Sequence, residues 1–175
     1  MKILSVHNSY QTPGGEDQVF AQETDLLRSH GHQVVPFHTS NDQVKGKNPL
    51  VLLGNTIWNS HMHSELLALM QQERPDIVHV HNTFPIISPA VYYAANQAAI
   101  PVVQTLHNFR MLCPAGTLFR DGHVCEKCVT KNIPWPGVVH ACYRGSRLAT
   151  AAGLRCWRRT TISRHTAKPS LPTLP

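Results

Sequence analysis

Apolar and polar positions along the chain follow two rhythms. Residues 3–6, 77–80 and 102–106 are short runs rich in β-branched side chains, bounded by polar or turn residues, and read as strands ending at about residues 7, 81 and 107. Between them lie helical patterns. Over residues 16–30, Val19, Phe20, Leu26 and Leu27 recur at seven-residue offsets, which puts them on one helix face. Glu16 and Asp17 fall in its first turn, where carboxylates suit the helix dipole, and Gly31 is a natural stop. Residues 32–38 read as a further strand, which Pro36 assigns to an edge or an early end. Residues 39–58 carry no decisive pattern. Ser60 is the expected cap of a helix that buries Met62, Leu66, Leu69 and Met70 and stops at Arg74-Pro75. Ser88-Pro89 opens another, with proline at the first helical position and Ala90, Val91, Ala94, Ala95 and Ala98 facing inward. Alternating strands and helices of this kind predict an α/β fold with a doubly wound, Rossmann-like parallel sheet. Beyond Asn108 the periodicity stops, and residues 109–145 form a long cysteine-containing excursion from the sheet edge.

Three of the strand patterns end in the same dipeptide: His7-Asn8, His81-Asn82 and His107-Asn108. Parallel strands bring their carboxyl ends to one edge, and open α/β sheets bind ligands in the crevice beyond it. These six residues are therefore candidate binding residues. His107 leads them, because the irregular excursion begins just past it. An imidazole near neutral pH can donate a hydrogen bond, carry a proton or hold a metal. His79 is read as facing away from His81 and packing under a helix. Gly14-Gly15, ahead of the first helix, is a candidate anion site: helix N-terminal amides attract negative charge, and glycine lets it come close. The pair alone reads equally as a flexible turn, being neither a dinucleotide fingerprint nor a P-loop.

Composition narrows the class. With 175 residues, 42% hydrophobic and 15% charged, the chain can bury a real core and is expected to form one domain. No apolar run approaches the roughly 20 residues of a membrane span. The N-terminus turns polar too soon for a signal peptide, so a cytoplasmic location is expected. Charge is unevenly spread: residues 1–126 hold 7 basic and all 10 acidic residues, and residues 127–175 hold the other 9 basic and no acidic one. Such a basic end suits an anionic surface, but it has no aromatic interleaving or motif for nucleic acid, and none is expected as a partner. Cysteines in this setting are reduced, metal-bound or buried rather than disulfide-linked. Cys125-Glu126-Lys127-Cys128 has the spacing of a structural zinc knuckle, with Cys113 before it and Cys142 after it. Only one C-x-x-C pair is present, so buried free thiols or an unliganded surface pair remain open readings.

With these residues in view, the chain resembles the N-terminal, acceptor-side domain of family 4 glycosyltransferases, enzymes of the two-domain GT-B architecture. The likeness runs over residues 1–152. It is carried by Gly14-Gly15-Glu16 and by residues 74–82, 88–95 and 101–108, then by Cys113-Pro114, residues 119–122, 125–128 and 134–136, and finally residues 142–147. The resemblance implies retaining transfer of a hexosyl group from a nucleotide-sugar donor to a glycan or lipid-linked acceptor, as in polysaccharide biosynthesis. It implies that Gly14 and Gly15 face the donor diphosphate, and that His107 is the catalytic residue beside the transferred sugar. His7, Asn8, His81, Asn82 and Asn108 would complete the substrate wall. No cofactor is required for catalysis in this family pattern, so zinc at Cys113, Cys125, Cys128 and Cys142 would be architectural.

The chain departs from the pattern in one respect. The family's donor-binding domain, about 150–200 residues by ordinary domain sizes, is not matched, and no Asp or Glu follows Glu126. This half is expected to be inactive alone. Residues 153–175 read as a basic, proline-containing, irregular tail. It is either the aberrant, out-of-frame end of a truncated chain or an arm for peripheral contact with the inner face of an anionic membrane. A non-catalytic half that pairs with a separately encoded donor domain is the alternative function. A hydrolase with metal on His7, His81 and His107 ranks last, for want of a carboxylate in the same pattern.

Overall fold

The computed structural model describes residues 1–155, apart from Pro13, Lys45 and Lys47. Four parallel strands make one sheet in the order β2-β1-β3-β4: β1 Lys2–Ser9, β2 Gln33–Ser40, β3 Ile77–Val80 and β4 Val102–Gln104. The helices α1 (Gly15–Ser29), α2 (Pro49–Ile57), α3 (Ser60–Glu73) and α4 (Ala90–Gln97) lie in the connections. This is the doubly wound parallel sheet expected from the alternation of patterns. β2 is an edge strand, as Pro36 requires.

The two faces of the sheet differ. Leu4 and Val6 of β1 and Val78 and Val80 of β3 point to one side, fully buried against Leu66 and Met70 of α3 and Val91, Ala94 and Ala95 of α4. Each such Leu, Val or Met side chain contributes about 1.5–3 kcal/mol by leaving water, and each alanine less. The residues between them, Ile3, Ser5 and His7 and then Ile77, His79 and His81, face α1, because successive strand residues alternate. The apolar side is the core, and the side under α1 is largely polar.

Several local expectations shift. Residues 39–58, left undetermined by pattern, form a 3₁₀ turn at Asn41–Val44 and then α2, which Asn48 caps by accepting from the Leu50 N–H at 2.9 Å. Asn59, not Ser60, caps α3: its side-chain oxygen accepts from the Met62 N–H, and its amide donates to the Ile86 carbonyl. Asparagine reaches the first free amides while also tying the cap to the loop before α4, which a serine one residue later would not do. On α3, Met62, Leu66 and Met70 are buried and Leu69 only half so. Leu26 of α1 is 57% exposed and Thr24 takes the buried position instead. The seven-residue offset drifts relative to 3.6 residues per turn, leaving Leu26 on the rim of a groove with Ile3, Ile77 and Val103. β4 stops at Gln104, three residues short of His107, although the Thr105 N–H still reaches the Val80 carbonyl at 3.0 Å.

The excursion holds only a 3₁₀ turn (Phe109–Met111), a two-stranded hairpin of β5 (Phe119–Arg120) and β6 (His123–Val124), and the short α5 (Trp135–Val139). Residues 147–155 are helical, so residues 153–155, expected to open an irregular tail, are not irregular. The rest of that tail lies outside the described residues. Among the described residues no helix is long and apolar enough to cross a membrane.

Candidate functional site

β1, β3 and β4 deliver the three His-Asn pairs to one edge of the sheet, and the structure brings the histidines into a single cluster. His81 Nδ1 lies 3.1 Å from His107 Nε2, with the rings 5.3 Å apart. His7 meets His81 edge-on at 6.0 Å and stacks on Phe20 of α1 at 4.8 Å. His79, expected on the opposite face, lies beside His81 with the rings 4.3 Å apart. That expectation is corrected by strand geometry: residues two apart share a face. Its packing under a helix holds, and the helix is α1.

Depth separates the members. His7 and Asn8 are 1% and 0% exposed, and His81 is 3% exposed. His107 is half-buried and lines a cleft together with Glu16, Asn82, Thr105, Asn108 and Arg110. The asparagines work mainly as clamps. The Asn8 amide donates to Asn41 Oδ1 at 2.9 Å and to the Phe84 carbonyl at 2.8 Å, while its oxygen accepts from the Thr39 hydroxyl. Asn82 donates to the Asn8 carbonyl at 2.8 Å and accepts from the Phe84 N–H. Asn108 accepts from the Arg110 N–H and donates to Glu16 Oε1 at 3.2 Å, joining the excursion to the start of α1.

Burial dominates the electrostatics. Desolvation holds His7 below the usual imidazole range in spite of the Asp17 carboxylate 3.0 Å from its Nε2. Desolvation also lowers His79, with Glu23 opposing and His107 adding to the effect. His81 falls furthest, to about 3, through desolvation and then the neighbouring imidazoles of His79, His107 and His7. All three are neutral near pH 7, and a neutral imidazole donates from one nitrogen and accepts at the other. Burial opposes ionisation of Asp17, but the Gly14 N–H, the His7 ring and the Ser9 hydroxyl outweigh it and keep the carboxyl low.

At the diglycine, Gly14 precedes α1 and its N–H donates to Asp17 Oδ2 at 2.7 Å. Neither Gly14 nor Gly15 has a positive φ, and a Cβ on either would meet nothing within 4 Å. The chain itself therefore does not require glycine at these positions.

Three participants escaped the sequence reading. Glu23 Oε2 lies 3.3 Å from His81 Nε2 and 3.8 Å from His79 Nε2. Among the described residues, these three supply donor atoms within 4.8 Å of one another. Glu23 stands seven residues after Glu16, so two turns of α1 place both on the face turned to the strand ends, and that spacing was the available clue. Glu16 Oε2 is buried at the cleft without a hydrogen-bond partner. The Arg110 guanidinium lies over the rings of Phe84 and Tyr143, at 4.8 and 5.2 Å, and bonds the Tyr10 hydroxyl. Cys113, Cys125, Cys128 and Cys142 are free thiols, Cys113 and Cys128 buried, near enough to act on one another's charge.

No curated protein matches the chain. A solved structure described as an S. aureus MnaA–UDP co-structure is similar at a TM-score of 0.45 and 21% identity, over 63% of this chain and 30% of that one. This chain therefore spans about a third of the length of that relative. The model of Glycosyltransferase Family 4 matches residues 13–168, from the diglycine loop through the strand ends at His81 and His107 and the cysteine excursion; His7-Asn8 precedes the match. The chain belongs to glycosyltransferase family 4.

Proposed function

We propose that this chain forms the acceptor-side wall of a retaining glycosyltransferase that moves a hexosyl group from a nucleotide sugar to a glycan or lipid-linked acceptor. The opposite, donor-holding wall would come from a second domain, in the same polypeptide or another, and this wall alone turns over little or nothing. The observation that carries the reading is the His81–His107 pair: a buried neutral imidazole held against a second one that lines the cleft. His107 is the catalytic residue in this scheme. It hydrogen-bonds a sugar hydroxyl or the leaving oxygen as charge develops, the kind of fixed polar contact worth about 2.7–4 kcal/mol in a transition state.

The other groups divide the substrate between them. Glu16 Oε2 accepts a hydroxyl of the acceptor, and Arg110 favours an anionic group at the cleft mouth. Gly14 and Gly15 leave room for the donor diphosphate beside the first amides of α1, which have no partner within the helix. His81, His7, Asn8 and Asn82 keep the strand ends in place beneath the substrate. No catalytic metal enters the scheme.

Isothermal titration of the chain tests the division of labour. Nucleoside diphosphates and sugar nucleotides should give no saturable binding, and a glycan or lipid-linked acceptor should bind weakly and lose that binding in Glu16→Ala. Joined to a donor-binding domain of the family, the chain should yield product with the donor's anomeric configuration, and His107→Ala should lower the rate at least about 100-fold. Tight donor binding by this chain alone, or full transfer by the His107→Ala form, would overturn the proposal.

A further inference from the structure

The excursion over residues 109–145 carries one wall of the cleft, yet nothing in the hydrophobic core holds it. None of its residues belongs to either buried apolar cluster. Several of its large apolar side chains face water, Phe119 at 55% and Trp135 at 56% exposed. Its regular structure amounts to two-residue strands and one helix of five residues. A segment of this length and composition needs another constraint to keep a single shape.

The cysteines are the candidates for it, and Cys128, Cys142 and the neighbour of Cys113 meet at Gly137. Burial raises the Cys128 thiol above its ordinary value, the Gly137 N–H that faces the sulfur opposes this, and nearby Cys113, Cys142 and Cys125 add to the rise. Its carbonyl accepts from the Cys142 N–H at 2.9 Å. Its α-carbon sits against Pro114, next to Cys113, so closely that a methyl there would come within 2.6 Å of Pro114 Cγ. Cys125 enters through the C-x-x-C turn, its N–H bonded to the Leu118 carbonyl across the hairpin at 2.8 Å. Cys113 and Cys142 are each followed three residues on by a glycine of positive φ, Gly116 at 82° and Gly145 at 65°. Left-handed residues in such turns aim successive amides at one point, as in the nests that surround metal–sulfur sites. Burial likewise raises the Cys142 thiol, with Arg120 opposing and Cys113, Cys125 and Asp121 adding to the rise.

We propose that Cys113, Cys125, Cys128 and Cys142 together bind one structural zinc ion, and that this ion shapes the wall bearing Asn108 and Arg110. Binding exchanges four thiol protons, released to solvent, for four zinc–thiolate bonds, with no change of oxidation state. Bonds of about 2.3 Å in a closed tetrahedron would draw the sulfurs closer together and leave no position for substrate. Glu23, His79 and His81 form a tighter group, with donor atoms within 4.8 Å of one another. His79 Nε2 lies 2.8 Å from the Thr105 hydroxyl, whereas Glu23 Oε2 and His81 Nε2 have no hydrogen-bond partner, and the experiment below separates the two sites. The zinc inference does not rest on the transferase reading.

Elemental analysis of the reduced chain, purified without chelators, should find about one zinc per molecule. Cobalt substitution should give thiolate-to-metal charge transfer and the strong visible absorption of a tetrahedral site. Cys125→Ser and Cys128→Ser should abolish both, whereas Cys156→Ser should leave them intact. Because those variants can fail to fold, chelation of the unmodified chain provides a second reading. Hydrogen exchange should rise across residues 109–145 while β1 and β3 stay protected. Three results would overturn the proposal: failure of the reduced chain to bind added zinc, two stable disulfides among the four cysteines, or zinc retained in the cysteine variants and lost in Glu23→Gln. A failure of the transfer assays would leave these measurements unaffected.

Discussion

Nδ1 of His81 sits 3.1 Å from Nε2 of His107, while the other nitrogen of His81 faces Glu23 at 3.3 Å. Two adjacent nitrogens can share only one proton between them. The Glu23 carboxylate attracts a proton to Nε2 although the contact lacks hydrogen-bond geometry; with the proton there, Nδ1 accepts and His107 presents an N–H from Nε2. In that tautomer Glu23 is coupled to the cleft through two imidazoles.

Imidazole nitrogen shifts should show this tautomer directly. His81 is expected to remain neutral, with its proton on Nε2, from neutral pH down to near pH 4, well above its value of about 3. In Glu23→Gln the tautomer mixture of His81 should change, and the His107 resonances should move with it. Unchanged His107 resonances in that variant would contradict the relay.

Stability should fall on mild acidification. The folded chain holds His7, His79 and His81 below the ordinary 6.5, so the unfolded chain binds more protons as pH drops below that value. A depressed histidine contributes stability that is complete above about pH 6.5 and is lost progressively toward its folded value. The slope for His81 approaches about 1.4 kcal/mol per pH unit between pH 6.5 and about 3. Urea midpoints measured at pH 7.5 and pH 5.5, about one unit either side of the imidazole range, should differ accordingly. In His81→Asn the difference should shrink.

Asn8→Ala should cost about 2–4 kcal/mol, because the Phe84 carbonyl and the Thr39 hydroxyl lose a buried partner together. Asn108→Ala, at the half-buried turn that opens the excursion, should cost about 1 kcal/mol. Denaturant titration of both variants measures the contrast. Equal losses would mean that the strand-end clamp is not what holds this edge.

Gly15→Ala should keep or slightly raise the melting temperature, since the position is helical, φ is not positive and the space is open. The same variant, joined to a donor-binding domain, should lose transfer through a higher KM for the donor. Gly137→Ala should do the reverse, destabilising the excursion by collision with Pro114. Unimpaired transfer by Gly15→Ala would leave the diglycine as an ordinary turn.

The sheet was legible in the sequence because its signals are local. β-branched runs, Pro36 on an edge and alanines on the inner face of α4 each follow from steric rules that act within a few residues. The convergence of the His-Asn pairs followed as well, since parallel strands admit one arrangement of their ends. What escaped depends on contacts between distant segments. Glu23 carried no sequence signal of its own, and only the fold sets it over two histidines of β3 and its end. Leu26 looked buried until the drift of the helix face carried it to a rim. Asn8 and Asn82 looked like ligand contacts, and only the tertiary structure pairs their amides with Asn41, Thr39 and Phe84. Arg110 lies in a segment with no periodicity to place it.

Pro36 has one more effect, on how the sheet can be extended. The β2–β1 pairing runs through Pro36 opposite Ser5 without a break, so the missing N–H falls on the outward margin of β2. A newcomer strand finds an interrupted row of donors there. Lateral growth is thereby directed to the β4 margin, the one nearer His107. Any additional strand, whether from this polypeptide or a companion, would pair beside Gln104 and become part of the frame of the cleft.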